Sequence, residues 1–156
     1  MVVKKRSILL TEEGIKTLER DLAYREGELR AKLQDTLNQM RSQGDLREND
    51  GYTIAVTDFQ NNEERILEIK EKLENAEVIS NSKTSSVDIG SKVTIECEKG
   101  LKNTYHIVGE EETNPIEAKI SYKSPIGSSL FGAKKGSTVT ITTPAGENRC
   151  KIIKIE

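Results

Sequence analysis

The chain is short of the residues that build a large single core. Among 156 residues there is no Trp, only two Phe and four Tyr, and a third of the side chains are charged. Large aromatic and aliphatic side chains supply most buried area in a compact domain. Their scarcity points to an elongated arrangement with a thin apolar seam. Stretches long enough to span a bilayer are missing, and the basic start MVVKKRSILL lacks the apolar run of a signal peptide. The expectation is a soluble, cytoplasmic protein that makes no membrane contact. One His (His106) and two separated Cys (Cys97, Cys150) make a zinc site improbable. Two cysteines allow one disulfide. Without a secretory signal, they are read as two reduced thiols packed as small apolar residues. A strong basic excess is absent too. The formal net charge is −2, distributed as −4 over residues 1–80 and +2 over residues 81–156. The chain as a whole is therefore a poor general clamp for nucleic acid, although local basic patches remain open.

What is present divides into two textures. From Thr11 the pattern is helical, with Thr11 as N-cap and Glu12 and Glu13 in the first turn. Ile15, Leu18, Leu22, Leu29, Leu33, Leu37 and Met40 recur at three and four, with Arg25 in the slot between Leu22 and Leu29. Gly27 weakens the middle by roughly 1 kcal/mol relative to Ala. A second series runs Tyr52, Ala55, Phe59, Asn62, Ile66, Ile69, Leu73, Ala76, a heptad seam with Asn62 at a core position. Two such seams with a short connection predict an antiparallel coiled-coil hairpin. A helix of about 32 residues rises roughly 48 Å, which makes the hairpin a rod with its connection at the far tip.

Near Ser80 the texture changes. Residues 80–86, SNSKTSS, read as a linker. Short alternating runs follow at Val93/Ile95/Cys97, Tyr105/Ile107, Ile120/Tyr122, Val139/Ile141 and Ile153/Ile155, punctuated by Gly and Pro. They predict a small, mostly antiparallel sheet domain over 87–156. SPIGSSLFG suits one short helix across the sheet, with Leu130 and Phe131 buried. The expected fold class is thus α+β, with residues 1–79 as the hairpin.

The connection itself reads GDLREND and carries Asp45, Glu48 and Asp50. Asp, Asn and Gly are ordinary turn formers, and Asp45 or Asn49 would serve as a helix cap. Clustered carboxylates are also hard oxygen ligands suited to Mg²⁺. Two from one chain are too few for a dedicated site, but they would complete one supplied by a partner.

In order, the chain shows a helical hairpin, a GDLREN tip followed by Tyr52, a return helix ending EKLENAEVI, then SPIG…LFG and TPAGE…KIIKIE. In this it resembles the Gre transcript cleavage factors of bacteria, on the GreA side of the family. The resemblance runs from about Thr11 to the end of the sequence. It implies an FKBP-like C-terminal domain that docks on RNA polymerase at the rim of the secondary channel. It also implies a hairpin that enters the channel and delivers Asp45 and Glu48 to the polymerase active site. There the pair helps hold the second Mg²⁺ and its water, and the polymerase cuts the 3′ end of its own backtracked RNA. The chain itself would be an activator, with no cofactor of its own and no small-molecule substrate. Gly44, Leu46, Asn49, Asp50 and Tyr52 would support the tip. Arg41 and Arg47 would face the RNA. Ser124, Pro125 and Ile126 form the candidate polymerase contact, with burial of Ile126 as the competing role.

Three departures stand out. Asp50 and Gly51 replace the common Ala-Glu pair before the Tyr, and Val56 stands where many members carry a basic residue. A channel-binding inhibitor of the same plan is the alternative reading, and the intact D-L-R-E-N argues against it. A prolyl isomerase would need an aromatic-lined pocket, for which only Tyr105, Tyr122 and Phe131 are available. A purely structural hairpin would be indifferent to its tip carboxylates.

Overall fold

The computed structural model describes residues 7–45, 48–79, 85–98 and 100–156. It divides into two compact units, one holding Ile15–Asn75, the other residues 7–14 with Ala76–Glu156. The helical hairpin expected from the seams corresponds to helices α1 (Glu12–Tyr24), α2 (Arg30–Ser42) and α3 (Asp50–Glu74).

In the helical unit, α3 buries Ala55, Asn62, Ile66 and Ile69, four of the seam positions. Cross-helix ion pairs Arg30–Glu63 (2.5 Å) and Lys70–Glu26 (2.6 Å) place the return helix antiparallel to the outgoing one. Between α1 and α2 the backbone widens into a π-helical turn, Arg25–Leu29. The Arg25 carbonyl there accepts from the Arg30 N–H and from Asn62 Nδ2 (3.2 Å), while Arg25 Nη1 reaches Asn62 Oδ1 at 3.5 Å. Asn62 is 3% exposed, so the polar residue at a core position is satisfied by backbone in the wide turn opposite it. Asn62→Ala removes these partners and leaves a void. It should lower the stability of this unit by about 2 kcal/mol. Urea unfolding followed by far-UV circular dichroism checks this, and an unchanged midpoint would mean that the polar layer contributes nothing.

The second unit contains a parallel pair, β1 (Ile8–Leu10) with β2 (Ala76–Val78), and a five-stranded sheet. The sheet comprises β3 (Lys92–Cys97), β4 (Lys102–Val108), β5 (Lys119–Ser121), β6 (Thr138–Thr143) and β7 (Gly146–Ile155), in the order β5-β4-β3-β7-β6. All neighbours are antiparallel except β4 and β5. Val93, Ile95, Ile107, Ile141 and Ile152 point to one face and are buried there with Leu130 of α4 (Pro125–Leu130). Phe131 is not in that core. The short helix turns consecutive residues about 100° apart, so Leu130 takes the core position and Phe131 stays 43% exposed, 5.7 Å from the Tyr122 ring.

The cysteines also correct the sequence reading. β3 and β7 are neighbours, and their register sets Cys97 opposite Cys150 with Cα atoms 4.0 Å apart, joined as a disulfide. Sequence spacing does not reveal which strands become neighbours, so the pairing was not readable from it.

Thr11 does cap α1, accepting the Gly14 N–H at 3.0 Å. Its own N–H donates to Glu112 Oε2 at 2.8 Å and its hydroxyl to Glu112 Oε1. Gly14 lies against that carboxylate, where a Cβ would collide with it.

His106 lies in a shallow groove of about 390 Å³ with Glu13, Lys92, Thr104, Glu117 and Lys119. Burial holds its imidazole below the usual range, and Lys92 and Lys119 push the same way against a Gly90 backbone hydrogen bond and Glu13. The folded chain therefore resists protonating His106 while the unfolded chain takes up the proton near its ordinary value of about 6.5. Stability from this group is full above that value and falls as pH drops below it. His106→Gln should narrow the gap between melting temperatures at neutral and mildly acidic pH. A gap as wide as in the parent chain would exclude His106 as its source.

Candidate functional site

The site candidate is the turn between α2 and α3. α2 ends at Ser42 with Gln43 as its C-cap, and Gly44 follows with φ +129°, a conformation that side-chain-bearing residues rarely adopt. The chain reverses there, and Asp45 and Glu48 are both exposed. Leu46 and Arg47, expected to anchor the tip and face RNA, lie outside the described residues.

Asn49 closes the turn. Its Oδ1 accepts the Tyr52 N–H at 3.1 Å, capping α3, and its Nδ2 donates to the Met40 carbonyl at 3.3 Å, near the end of α2. One side chain thus satisfies an orphan donor of one helix and a carbonyl of the other. Asn49, not Asp45, is the cap. The capping role was legible in the sequence, but the second bond to α2 was not, because it needs the two helix ends side by side. Asp50 occupies the first turn of α3, where a negative charge suits the helix dipole. Gly51 packs toward Met40, and a Cβ there would meet its sulfur at 3.1 Å. Tyr52 is half-buried one position further on, and Arg41 is exposed in the last turn of α2.

The donor set is hard oxygen, which fits Mg²⁺, but two carboxylates fall well short of its six ligands. Among the described residues no three His, Cys, Asp or Glu side chains cluster as a metal site.

The second candidate is the start of α4. Ser124 caps this helix, accepting the Gly127 N–H at 3.0 Å and donating to the Ser121 carbonyl at 2.6 Å. Pro125 follows at the first helical position and is exposed. Ile126 is half-buried against the core. The three residues thus share one short rigid segment, with Pro125 presented outward. A depression of about 440 Å³ nearby is lined by Ser7, Ile8, Leu9, Glu110, Glu111, Tyr122 and Lys123. With one aromatic among these, it does not meet the requirement of an isomerase pocket. Among the described residues no helix is long and apolar enough to cross a membrane.

Residues 8–78 match the family model described as "Transcription elongation factor, N-terminal", and residues 81–156 the model "Transcription elongation factor, GreA/GreB, C-term". The transcription elongation factor GreA of Amoebophilus asiaticus is 41% identical over 148 residues, covering 93% of this chain and 94% of that protein. The GreA of Oceanobacillus iheyensis is 36% identical over 159 residues and covers both chains completely. Among solved structures, the GreA factor homolog 1 protein of Thermus thermophilus aligns with a TM-score of 0.45 at 24% identity, covering 97% of this chain and 99% of that one. With both halves matched in order and full-length relatives above one third identity, the chain belongs to the GreA-type transcription elongation factors.

Proposed function

We propose that this protein stimulates the RNA-cleaving activity of bacterial RNA polymerase, without being a nuclease itself. The observation that carries this reading is the Gly44–Asp50 turn. It exposes Asp45 and Glu48 between two long antiparallel helices whose ends are tied by Asn49. A narrow helical pair is suited to entering the secondary channel and bringing its turn to the polymerase active site. Asp45 and Glu48 are the residues that would hold a Mg²⁺ shared with the polymerase. When bound, such an ion makes its water more acidic and neutralises charge on the scissile phosphate. The carboxylates add negative charge and hydrogen-bond acceptors where that water is oriented. Arg41, exposed one turn before the loop, faces the extruded 3′ end of the RNA electrostatically. Ser124, Pro125 and Ile126, on their capped helix, form the docking contact at the channel rim.

The deciding experiment adds the protein to purified bacterial polymerase stalled and backtracked on a template, with 3′-end-labelled RNA and Mg²⁺. Release of short 3′ fragments, followed by renewed extension when nucleotides are supplied, is the expected result. Bound protein with no fragments and slower synthesis would replace this reading with that of a channel-binding inhibitor.

A further inference from the structure

The two cysteines of the chain sit in unlike surroundings. Cys97 is the last residue of β3, where the chain turns toward β4. Its N–H donates to the Leu101 carbonyl at 2.9 Å, and its carbonyl accepts the Gly100 N–H at 3.1 Å. β4 begins only at Lys102, so on that side Cys97 faces a tight turn rather than a strand. It is half-buried at the rim of the core. Cys150 lies inside β7, between Cys97 on β3 and Val139 on β6, and is 1% exposed. The strand pair has support besides the bond between them. β3 and β7 are paired from Val93 to Cys97, and Val93, Ile95 and Ile152 pack into the same core. Where transcription takes place, thiol pools keep disulfides rare, and those that form are transient or redox-sensing.

From this we infer that Cys97 and Cys150 form a peroxide-reactive dithiol, in which Cys97 is the thiol that is oxidised and Cys150 the one that resolves it. Reaction follows exposure, because the oxidant must reach the sulfur. Glu96 and Glu98 flank Cys97 in the chain, which disfavours an anionic oxidant and favours a small neutral one, hydrogen peroxide. The Cys97 thiolate attacks one peroxide oxygen. The O–O bond breaks, Cys97 becomes a sulfenic acid, and the other oxygen leaves as water with the proton the thiol gave up. The Cys150 sulfur then attacks the Cys97 sulfur. The S–O bond breaks, and the hydroxyl leaves as a second water with the Cys150 proton. Two thiols and one peroxide thus give one disulfide and two waters, the sulfurs losing two electrons to the peroxide. The register already holds the two Cα atoms 4.0 Å apart, so the second step needs no strand to move. Closure stops the oxidation at a reversible stage. A sulfenic acid without a neighbouring thiol goes on to sulfinic acid, which ordinary thiols do not reduce.

The test takes the full chain reduced with dithiothreitol, freed of it, and treated with excess hydrogen peroxide, with or without dimedone, which labels sulfenic acids. Peptide mass spectrometry reads the products. Without dimedone, the parent chain should close to the disulfide, lighter by two hydrogens, and recover both thiols on renewed reduction. Cys150→Ala should carry dimedone on Cys97, and without dimedone should pass to a sulfinic acid that dithiothreitol does not reverse. Cys97→Ala, folded by circular dichroism, should carry at least ~10-fold less label on Cys150 than Cys150→Ala carries on Cys97, because a buried thiol reacts only through local opening. Should either variant disturb the fold, the parent chain with dimedone in competition gives the same reading from the ratio of label on the two cysteines. The inference is overturned if the reduced parent keeps both thiols under peroxide, if Cys150 is labelled as readily as Cys97, or if Cys150→Ala takes no label and stays reducible throughout.

Discussion

Asp45→Ala/Glu48→Ala should reduce stimulated transcript cleavage on the order of 100-fold while leaving polymerase affinity within about twofold. The two effects separate because the carboxylates and the proposed docking contact lie on different elements. Both side chains are exposed, so removing them should change stability by no more than about 0.5 kcal/mol. The melting temperature of the variant therefore serves as the internal control. Groups that act together on one water and one ion are non-additive, so either single substitution should cost nearly as much as the pair. Single variants that each retain half the activity would show that the carboxylates act separately, and a fully active double variant would remove the loop from the mechanism. Asn49 provides the contrast. Its side chain ties Met40 and Tyr52 together, so the role proposed for it is positional. Gly51 bears on the same geometry, because its missing Cβ leaves space beside the Met40 sulfur. The Asp50–Gly51 departure from the common family pattern is thus accommodated without disturbing the cap.

The parts of this structure that were legible beforehand are those governed by local periodicity. Ala55, Asn62, Ile66 and Ile69 fall on one stripe of α3 because a helix repeats every 3.6 residues, and all four are buried. The strands at 92–97 and 138–143 announced themselves by alternation. What escaped depends on which distant segments meet. The π-helical turn at 25–29 is matched to Asn62, 37 residues away, and nothing in REGEL marks it. The Cys97–Cys150 bond needs β7 to lie between β3 and β6, a matter of sheet order. β1 and β2 are three residues each, too short for a period-two signal to develop. At the site, the cap chemistry of Asn49 was open to reading, but its bond to Met40 depends on the hairpin having closed. The glutamate that clasps Thr11 is 101 residues from it in sequence, beyond the reach of any local pattern.

Gly127→Ala should destabilise the sheet unit by more than about 3 kcal/mol, lowering its melting temperature by roughly 15 °C. The reason is a backbone collision, which is harder to relieve than one between flexible side chains. A Cβ on Gly127 would fall 1.9 Å from the Ser121 carbonyl oxygen and 2.9 Å from its carbon and from Ser124 Oγ. That carbonyl cannot retreat freely, because it accepts both the Ser124 N–H at 3.0 Å and the Ser124 hydroxyl at 2.6 Å. Relief therefore requires α4 to lift from the end of β5, and Leu130, fully buried three residues on, is pulled from the core with it. The same displacement moves Ser124, Pro125 and Ile126. If these residues dock on the polymerase, the variant loses affinity for it even at temperatures where the helical unit, monitored by its circular dichroism, remains folded. This pattern is the reverse of that expected for the tip: Asp45→Ala/Glu48→Ala keeps binding and loses cleavage, whereas Gly127→Ala loses cleavage because it loses binding. Cleavage should return when Gly127→Ala protein is raised to saturating concentration, since Asp45 and Glu48 are intact. A Gly127→Ala chain that melts with the parent would show that α4 has room the backbone geometry denies it. One that melts early yet binds normally would move the docking contact away from α4.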